Sequence, residues 1–465
     1  MKPTGVTALY SQKIDILQII ENSKNKKFAV NLIFWTFLLM IVEAIDIAGI
    51  SYAAPVLMKL WDVTPKTFGT VFAAAPFGLM LGGFIFGYLG DRIGRKKTLL
   101  ISTCWFGVLT FFTVFASSVT SLIVLRFLAA LGLGGTVPLA IVLVNEYAPK
   151  RSRAKWVGFM FTGFPLGMSL GGFLAGWLIP NFGWKSIFIA GGLFPLILII
   201  GLMIRLPESI KYLVLRNKEK KEITKILLRL DPKLHIGPNT QFIMENEEKN
   251  VEFSPKMLFT GVLLFITPIL WIYSIFSSFS IYFLNNWLPQ VFVSSGLTIK
   301  DASFATSIYH LAGMLVGSAV GWLFDKRGML ACLIFPIVGS ILVAVLGLPL
   351  SKTVLMFVVF TAGFFVVGVQ MVLTVSTPMF YPTAYRSNAN GIAMGIAKIG
   401  SIAGPIIGGI LLSMRLPLNQ LFLFISLAII ISGLLLTALG LFYRRHYTDV
   451  KDSVIKDSET VGVTN

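Results

Sequence analysis

Long apolar stretches separated by short polar loops run through most of the chain. An α-helix needs about 20 apolar residues to cross the hydrocarbon core of a bilayer. Six stretches of that kind precede a longer polar segment and six follow it: 28–52, 67–90, 98–116, 120–146, 156–180 and 184–206, then 262–289, 301–324, 329–349, 353–379, 387–412 and 419–443. The pattern predicts an all-α membrane protein with twelve transmembrane helices.

The polar segment in the middle divides the predicted helices into two bundles. The expected units are an N-terminal tail (1–27), a six-helix bundle (28–206), a central loop (207–261), a second six-helix bundle (262–443) and a C-terminal tail (444–465). Within the central loop, the alternation of charged and apolar residues over Lys218–Leu230 predicts a short amphipathic helix.

The two halves share a pattern of glycines, prolines and charges. The positions Gly87, Asp91, Pro149 and Arg153 recur as Gly321, Asp325, Pro382 and Arg386, shifted by 233 or 234 residues. The glycines at 158, 167, 171 and 176 recur at 391, 400, 404 and 409. The chain is therefore a tandem duplication of a six-helix unit. Because six is even, both copies enter the membrane from the same side and are pseudo-symmetric, and such folds place a substrate between the halves.

Composition and charge narrow the class of protein. Hydrophobic residues make up 55% of the chain and charged residues only 13%, which excludes a soluble multidomain enzyme. The formal charge of +18 would indicate nucleic-acid binding in a soluble protein. Here most Lys and Arg residues fall in the tails, the central loop and the loops on one side, so they indicate topology, with both termini in the cytoplasm. We expect a lipid bilayer and no nucleic acid as partner.

Chemistry other than transport finds no support in the sequence. Cys104 and Cys332 lie singly in apolar stretches, as small buried hydrophobes do. No spacing typical of metal ligands, nucleophile–base sets or nucleotide loops occurs. We therefore expect no enzyme activity, no cofactor and no metal.

The loop after the second span resembles the cytoplasmic loop signature of the major facilitator superfamily. It reads Gly87-x-x-Gly-Asp91-Arg92-x-Gly94-Arg95-Lys-Lys, and a degenerate copy ends at Asp325. The resemblance implies the major facilitator fold and a set of gating residues: Gly87, Asp91, Arg92, Gly94, Arg95, Glu146, Arg153, Asp325 and Arg386. In that fold Asp91 is expected at the start of the eleventh span, and Glu146 with Arg153 and Arg92 with Arg95 in the accompanying ion-pair set. Breaking the Asp91 contact would open the protein to the inside.

Further motifs resemble the aromatic acid:proton symporter family over most of the chain. They include Glu43-x-x-Asp46, Arg126-Phe, Pro207-Glu-Ser, Asn286-Trp-Leu-Pro and Tyr381-Pro-Thr-Ala-x-Arg386. That family typically has two aspartates flanking a glycine in the first span, where this chain has Glu43 and Ala44, and arginine where Lys398 stands. The resemblance implies proton-coupled uptake of an organic, aromatic carboxylate.

Five ionisable side chains fall well within the predicted spans: Glu43, Asp46, Arg126, His310 and Lys398. Each acid or base costs about 2.5–3.5 kcal/mol near the centre of a membrane helix, so such residues are functional candidates by default. At about 1.5 Å rise per residue, Asp46 and Arg126 both lie about 9 Å from the outer ends of their helices. Glu43 shares the helical face of Asp46.

We interpret Glu43 and Asp46 as a proton-coupling pair near the permanent cation Arg126. Two close carboxylates are costly to ionise together, so the pair can carry a proton. A static ion pair that holds the first and fourth spans together is the alternative interpretation.

Candidate substrate-binding residues are Arg126, His310, Lys398, Tyr282, Asn285, Asn286 and Gln370. A cation at Lys398 would bind a carboxylate, while the ring and amides would contact the rest of an aromatic ligand. A structural role, hydrogen bonding for His310 and snorkelling for Lys398, is open for both.

Other substrates stay open. An aliphatic or dicarboxylic acid, a sugar, or drug:proton antiport are alternatives, although the fifth span lacks the proline of the antiporter motif and membrane cations disfavour cationic drugs. The sequence leads us to expect a monomeric, multi-pass protein of a prokaryotic plasma (inner) membrane that carries a small organic anion with a proton.

Overall fold

The computed structural model describes residues 13–23, 25–216, 220–237, 240–244, 253–382 and 385–445, which are helical almost throughout. Among these residues, 11 helices are long and apolar enough to cross a membrane. The ninth predicted span, 329–349, forms the shorter apolar segment Met329–Val345. The twelve-helix pattern is thus present, with one helix shorter than the sequence predicts.

The first half contains one short strand and seven helices. They are β1 (Lys13–Asp15), α1 (Ile16–Asn22), α2 (Lys26–Leu60), α3 (Pro65–Ile93), α4 (Arg95–Phe112), α5 (Val119–Tyr147), α6 (Arg153–Phe182) and α7 (Lys185–Arg205). Capping side chains determine where several of them begin. Thr64 accepts from the backbone of α3, whose first residue is Pro65, and Ser118 forms a capping box with Ser121 at α5.

The central segment is more structured than a loop. It contains α8 (Ile210–Leu215), α9 (Lys220–Leu230), the strand β2 (Gln241–Ile243) and a 3₁₀ turn at Pro255–Phe259. The predicted amphipathic helix corresponds to α9, and residue 218 lies outside the described residues. β1 and β2 pair in parallel, Ile14 opposite Phe242, a contact the sequence pattern does not predict.

The second half repeats the first. It comprises α10 (Leu263–Ser294), α11 (Ile299–Arg327), a 3₁₀ turn (Met329–Leu333), α12 (Ile334–Val345), α13 (Lys352–Phe380), α14 (Arg386–Ser413) and α15 (Leu418–Arg445). α2 packs on α6 as α10 packs on α14, and α3 on α5 as α11 on α13.

Glycine contacts show that the repetition extends to the backbone. A Cβ on Gly167 would lie 2.3 Å from the carbonyl oxygen of Ile41, and one on Gly400 would lie 2.0 Å from that of Ile275. The second contact repeats the first one further along the chain: the glycine is shifted by 233 residues and the carbonyl by 234, as in the sequence repeat. Only glycine permits so close a helix–helix approach, so the repeated glycines preserve one packing geometry in both halves.

The two halves meet at one end only. We call the face that carries β1, the central segment and the end of α15 the terminal face, and the opposite one the far face. Among the described residues, the hydrogen bonds and ring contacts between the halves lie towards the far face. The pairs are Ser51 with Asn286 (3.3 Å), Lys66 with Ser413 (2.8 Å), and the rings of Phe72 with Trp287 (5.0 Å) and of Phe173 with Phe304 (5.3 Å).

Towards the terminal face the halves stand apart. A Cβ on Gly409, near the far face, would lie 2.4 Å from the Pro65 carbonyl oxygen of the other half. The other described glycines whose added Cβ would meet the opposite half, Gly69, Gly172 and Gly176, also lie towards the far face. The molecule is therefore closed at the far face and open at the terminal face.

A terminal subdomain, formed by β1, α1, α8, α9 and β2, rests on the first half. Its apolar side chains, including Ile16, Leu213 and Leu227, belong to one buried cluster with residues of α2, α5 and α7. Hydrogen bonds join its parts: Asn25 Nδ2 donates to the Arg229 carbonyl oxygen at 2.5 Å. The described part of the tail and the central segment as far as β2 thus extend the first half, whereas the 3₁₀ turn at Pro255–Phe259 packs on α10 of the second half.

Candidate functional site

A buried ion pair joins α2 and α5. Asp46 Oδ1 lies 3.2 Å from Arg126 Nη1, and the two side chains are 1% and 4% exposed. The Thr110 hydroxyl of α4 connects them, since it donates to Asp46 Oδ1 at 2.7 Å and accepts from Arg126 Nη2 at 2.7 Å. The guanidinium also lies 5.3 Å from the Phe188 ring centroid. The structure thus brings together the two charges that the helical rise places at one level.

The hydrogen of the Thr110 hydroxyl has a fixed direction. A guanidinium only donates hydrogen bonds, so the Thr110 oxygen must accept from Arg126 and give its own hydrogen to Asp46. Asp46 Oδ1 therefore receives two donors, one of them a permanent cation. Both donors stabilise negative charge on Asp46.

Glu43, one turn earlier on α2, has a different partner. Thr136 of α5 lies with its hydroxyl 2.6 Å from Glu43 Oε2 and 2.7 Å from the Leu133 carbonyl oxygen. The hydroxyl has one hydrogen and serves only one of these acceptors at a time. When it turns to the carbonyl, its oxygen can accept a hydrogen from a protonated Glu43. The site fits both forms of the carboxyl group, which is 1% exposed.

Lys398 approaches Glu43 from the other half. It lies on α14 and is half-buried, and its charge acts on Glu43 together with that of Asp46. Its backbone carbonyl accepts from Ser401 Oγ at 2.8 Å. An acid of the first half and a base of the second thus interact electrostatically.

Two other polar candidates of the second half, Gln370 and Asn286, are already hydrogen-bonded. Gln370 Oε1 accepts from Ser277 Oγ at 2.8 Å. Asn286 donates to the Tyr282 carbonyl oxygen at 2.7 Å and accepts from Ser51 at 3.3 Å. Asn286 therefore belongs to the far-face closure in this conformation. Tyr282 and Asn285 are half-buried on α10.

His310 is buried inside the second half. Its ring meets the edge of Tyr309 with centroids 5.2 Å apart, and it is 5% exposed. The buried Tyr309 hydroxyl has no hydrogen-bond partner among the described residues. The His310 ring and the Tyr309 hydroxyl are thus two polar groups buried on α11.

Sequence reasoning missed the two threonines. Thr110 and Thr136 are fully buried, and their hydroxyl groups hydrogen-bond to Asp46 and Glu43. Hydroxyl residues commonly bond to their own helix backbone, so their positions in the spans carried no distinctive signal. A weak signal was that Thr136 follows Arg126 by ten residues on the same helix.

At the terminal face, the predicted gating residues form a cluster within the first half. Arg95 binds Asp91 at 2.9 Å and lies 3.8 Å from Glu146, which accepts from Ser209 at 2.5 Å. Gly94 has φ of 105° and lies so close to the Glu208 carboxylate that a Cβ would approach it to 2.6 Å. Gly94 is thus required both by its backbone conformation and by this contact.

Three expected gating contacts are not formed among the described residues. Within the described residues Glu146 pairs with Arg95 and not with Arg153, which is exposed. Asp91 is 72% exposed and pairs with Arg95, away from the start of α14. The Arg92 guanidinium stacks on Tyr88, 4.7 Å from the ring centroid, and not beside Arg95. The separation of the halves at the terminal face explains the absent Asp91 contact, because α14 belongs to the second half. The contacts of Glu146 and Arg92 lie within the first half.

The second copy of the motif is sparser. Asp325 is exposed at the end of α11, and Arg386 Nε donates to the Tyr381 carbonyl oxygen at 3.1 Å. Over the described ranges, no group of three or more His, Cys, Asp or Glu side chains is arranged to hold a metal ion.

Comparison with known proteins agrees with this architecture. The chain is 34% identical to the gallate transporter of Pseudomonas putida, over 92% of this chain and 95% of that protein. It is 32% identical to the benzoate transport protein of Acinetobacter baylyi, over 90% and 91%.

A solved structure shares the fold. A bacterial homologue of the human lysosomal transporter Spinster, inward-facing and occupied, superposes with a TM-score of 0.68 at 15% identity, over 93% of this chain and 98% of that one. The Major Facilitator Superfamily family model matches residues 36–394. The protein is therefore a multi-pass membrane transporter and belongs to the major facilitator superfamily.

Proposed function

We propose that the protein takes up an aromatic carboxylate together with protons, by alternating access between its halves. The gallate and benzoate transporters to which it is similar are named for compounds with one ring and one carboxylate. The cleft offers a half-buried cation, Lys398, and a half-buried ring, Tyr282. A cation with a flat apolar wall suits such a ligand.

The observation that carries the proposal is the electrostatic interaction between Lys398 and Glu43, which belong to different halves. With Glu43 protonated, Lys398 is the uncompensated charge and binds the substrate carboxylate. With Glu43 ionised, its carboxylate competes with the substrate for Lys398. Proton and anion therefore bind together and leave together.

Glu43 suits the proton-carrying role better than Asp46. The Thr136 hydroxyl can donate to an ionised Glu43 or accept from a protonated one. Asp46 is paired with Arg126 and Thr110, two donors that favour its ionised form throughout the cycle. We assign proton transfer to Glu43, and to Asp46 the task of holding Arg126.

The terminal face is the cytoplasmic one in this proposal. It carries the cation-rich tail and central segment, and cytoplasmic loops of membrane proteins are enriched in Lys and Arg. The structure then corresponds to an inward-open state in a plasma membrane with both termini inside. Release of Asp91 from the start of α14 accompanies that state, and closure restores the contact.

The test replaces the proton carrier. Glu43→Gln in proteoliposomes should abolish accumulation of benzoate or gallate driven by a pH gradient, because the neutral amide of glutamine neither takes up nor releases a proton. Counterflow exchange of labelled substrate should persist and lose its dependence on pH. Glu43→Asp is the matched control and should retain gradient-driven accumulation at a lower rate. Uphill accumulation by Glu43→Gln at the parental level would contradict the assignment.

A further inference from the structure

A second charged pocket lies outside the transport cleft, at the terminal face. It has a volume of about 670 Å³ and is bounded by the start of α4, the end of α7, α8 and α9. Its cationic lining residues are Lys96, Lys97, Lys225 and Arg229, and its acidic ones are Glu208 and Glu222. Cations therefore outnumber carboxylates four to two.

One of the two carboxylates is already engaged. Glu208 Oε1 accepts from the backbone nitrogens of Lys96 at 2.9 Å and Ser209 at 2.8 Å. It thus caps the start of α4. Lys96 Nζ donates to the Met203 carbonyl oxygen at 2.7 Å, which holds this ammonium group at the wall of the pocket formed by the end of α7. Lys96, Glu208, Glu222, Lys225 and Arg229 all line this one pocket.

Helix α9 contributes its charges from one face. Lys225 and Arg229 are four residues apart and both exposed, so they lie one above the other. The opposite face of α9, with Ile223, Leu227 and Leu230, is buried in the terminal subdomain. The helix is thus fixed in an orientation that presents two cations to the pocket.

The remaining wall is apolar and belongs to a membrane helix. Met203 and Ile204, near the end of α7, are 57% and 67% exposed. Both line the pocket. Exposed apolar side chains at the end of a membrane-spanning helix face lipid chains. The pocket therefore borders the level where lipid headgroups meet acyl chains.

We propose that this pocket binds the phosphate headgroup of an anionic phospholipid. Its cations match the phosphate, its volume exceeds that of a phosphate ion, and its apolar wall continues into the lipid-facing surface. Basic pockets beside membrane helices bind anionic headgroups in this way. Binding links α4, α7 and α9, and so attaches the terminal subdomain to the membrane surface.

The experiment compares lipid binding by two charge-matched double variants. Lys225→Gln with Arg229→Gln removes two pocket cations, and Lys150→Gln with Arg151→Gln removes two exposed cations of the α5–α6 loop. The purified full chain is titrated with short-chain phosphatidylglycerol, phosphatidylcholine and inorganic phosphate. The readouts are the melting temperature and the lipid adducts seen by native mass spectrometry.

Phosphatidylglycerol should raise the melting temperature and form a discrete adduct in the parent and in the loop variant. In the pocket variant its affinity should fall on the order of tenfold or more, since each surface cation contributes appreciably to binding of acidic lipid. Equal loss or equal retention in both variants would overturn the assignment to this pocket. A saturable shift of the same size with inorganic phosphate alone would overturn the lipid as the source of the anion. Equal melting temperatures of the two variants in phosphatidylcholine establish that both are folded.

Discussion

Glu43 and Asp46 are neighbours on one face of α2, yet their surroundings differ in kind. Asp46 faces Arg126, which can only donate, and Thr110, whose hydrogen is committed to it. Glu43 faces Thr136, a hydroxyl with a second acceptor in reach. Both carboxyl groups are almost fully buried, so burial alone does not separate them.

The difference teaches that a buried acid is suited to exchange a proton when its partner can reverse the hydrogen bond. A partner that only donates fixes the ionised form. Helix α2 thus carries Asp46, whose partners donate hydrogen bonds to it, and Glu43, whose partner can donate or accept. The following changes should break or sharpen this contrast.

The largest effect is expected for Asp46→Asn. The substitution leaves the buried Arg126 charge without its counter-ion, which typically costs about 3–5 kcal/mol. The variant should melt well below the parent and transport poorly at every pH. Adding Arg126→Met should recover much of the stability without recovering transport. Normal stability of Asp46→Asn, measured by thermal unfolding in detergent, would refute the fixed ion pair.

A smaller effect is expected for Lys398→Gln. The residue is half-buried and accessible from the cleft, so folding should change little. Loss of a charge-assisted hydrogen bond to the substrate carboxylate, worth about 1.5–3 kcal/mol, should raise KM for benzoate roughly tenfold to a hundredfold. Lys185→Gln, at the far face, is the matched control. An unchanged KM in uptake assays would remove Lys398 from the substrate site.

The smallest effect should come from Thr136→Val, and it is the most diagnostic. Loss of the hydroxyl partner of Glu43 costs about 1 kcal/mol and should shift the pH dependence of uptake. Thr136→Ser keeps a hydroxyl group and should leave the pH dependence unchanged. Thr110→Val should instead lower the melting temperature without moving the pH profile. Identical pH profiles for the two valine variants would erase the distinction between Glu43 and Asp46.

Much of this architecture is predictable from the sequence. Apolar stretches fix the spans, the repeated glycines reveal the duplication, and the helical rise places Asp46 level with Arg126. These features depend on local periodicity or on regular geometry. The short ninth helix is the exception, since Met329–Val345 begins with a 3₁₀ turn that composition does not distinguish from α-helix.

What the sequence does not predict depends on contacts distant along the chain or on conformational state. β1 pairs with β2 more than two hundred residues away, and neither three-residue strand has a detectable period. The expected pairing of Glu146 with Arg153 and of Asp91 with the start of α14 is replaced by contacts of Arg95. A sequence motif identifies the gating residues, but it does not indicate whether the gate is open or closed.

The terminal subdomain makes two equal halves mechanically unequal. Duplication produced six-helix units with matching glycine contacts, but the N-terminal tail and most of the central segment pack on the first unit alone among the buried clusters. In the alternating access proposed above, the additional packing of the terminal subdomain on the first unit would keep that unit in place, and the second unit would move relative to it.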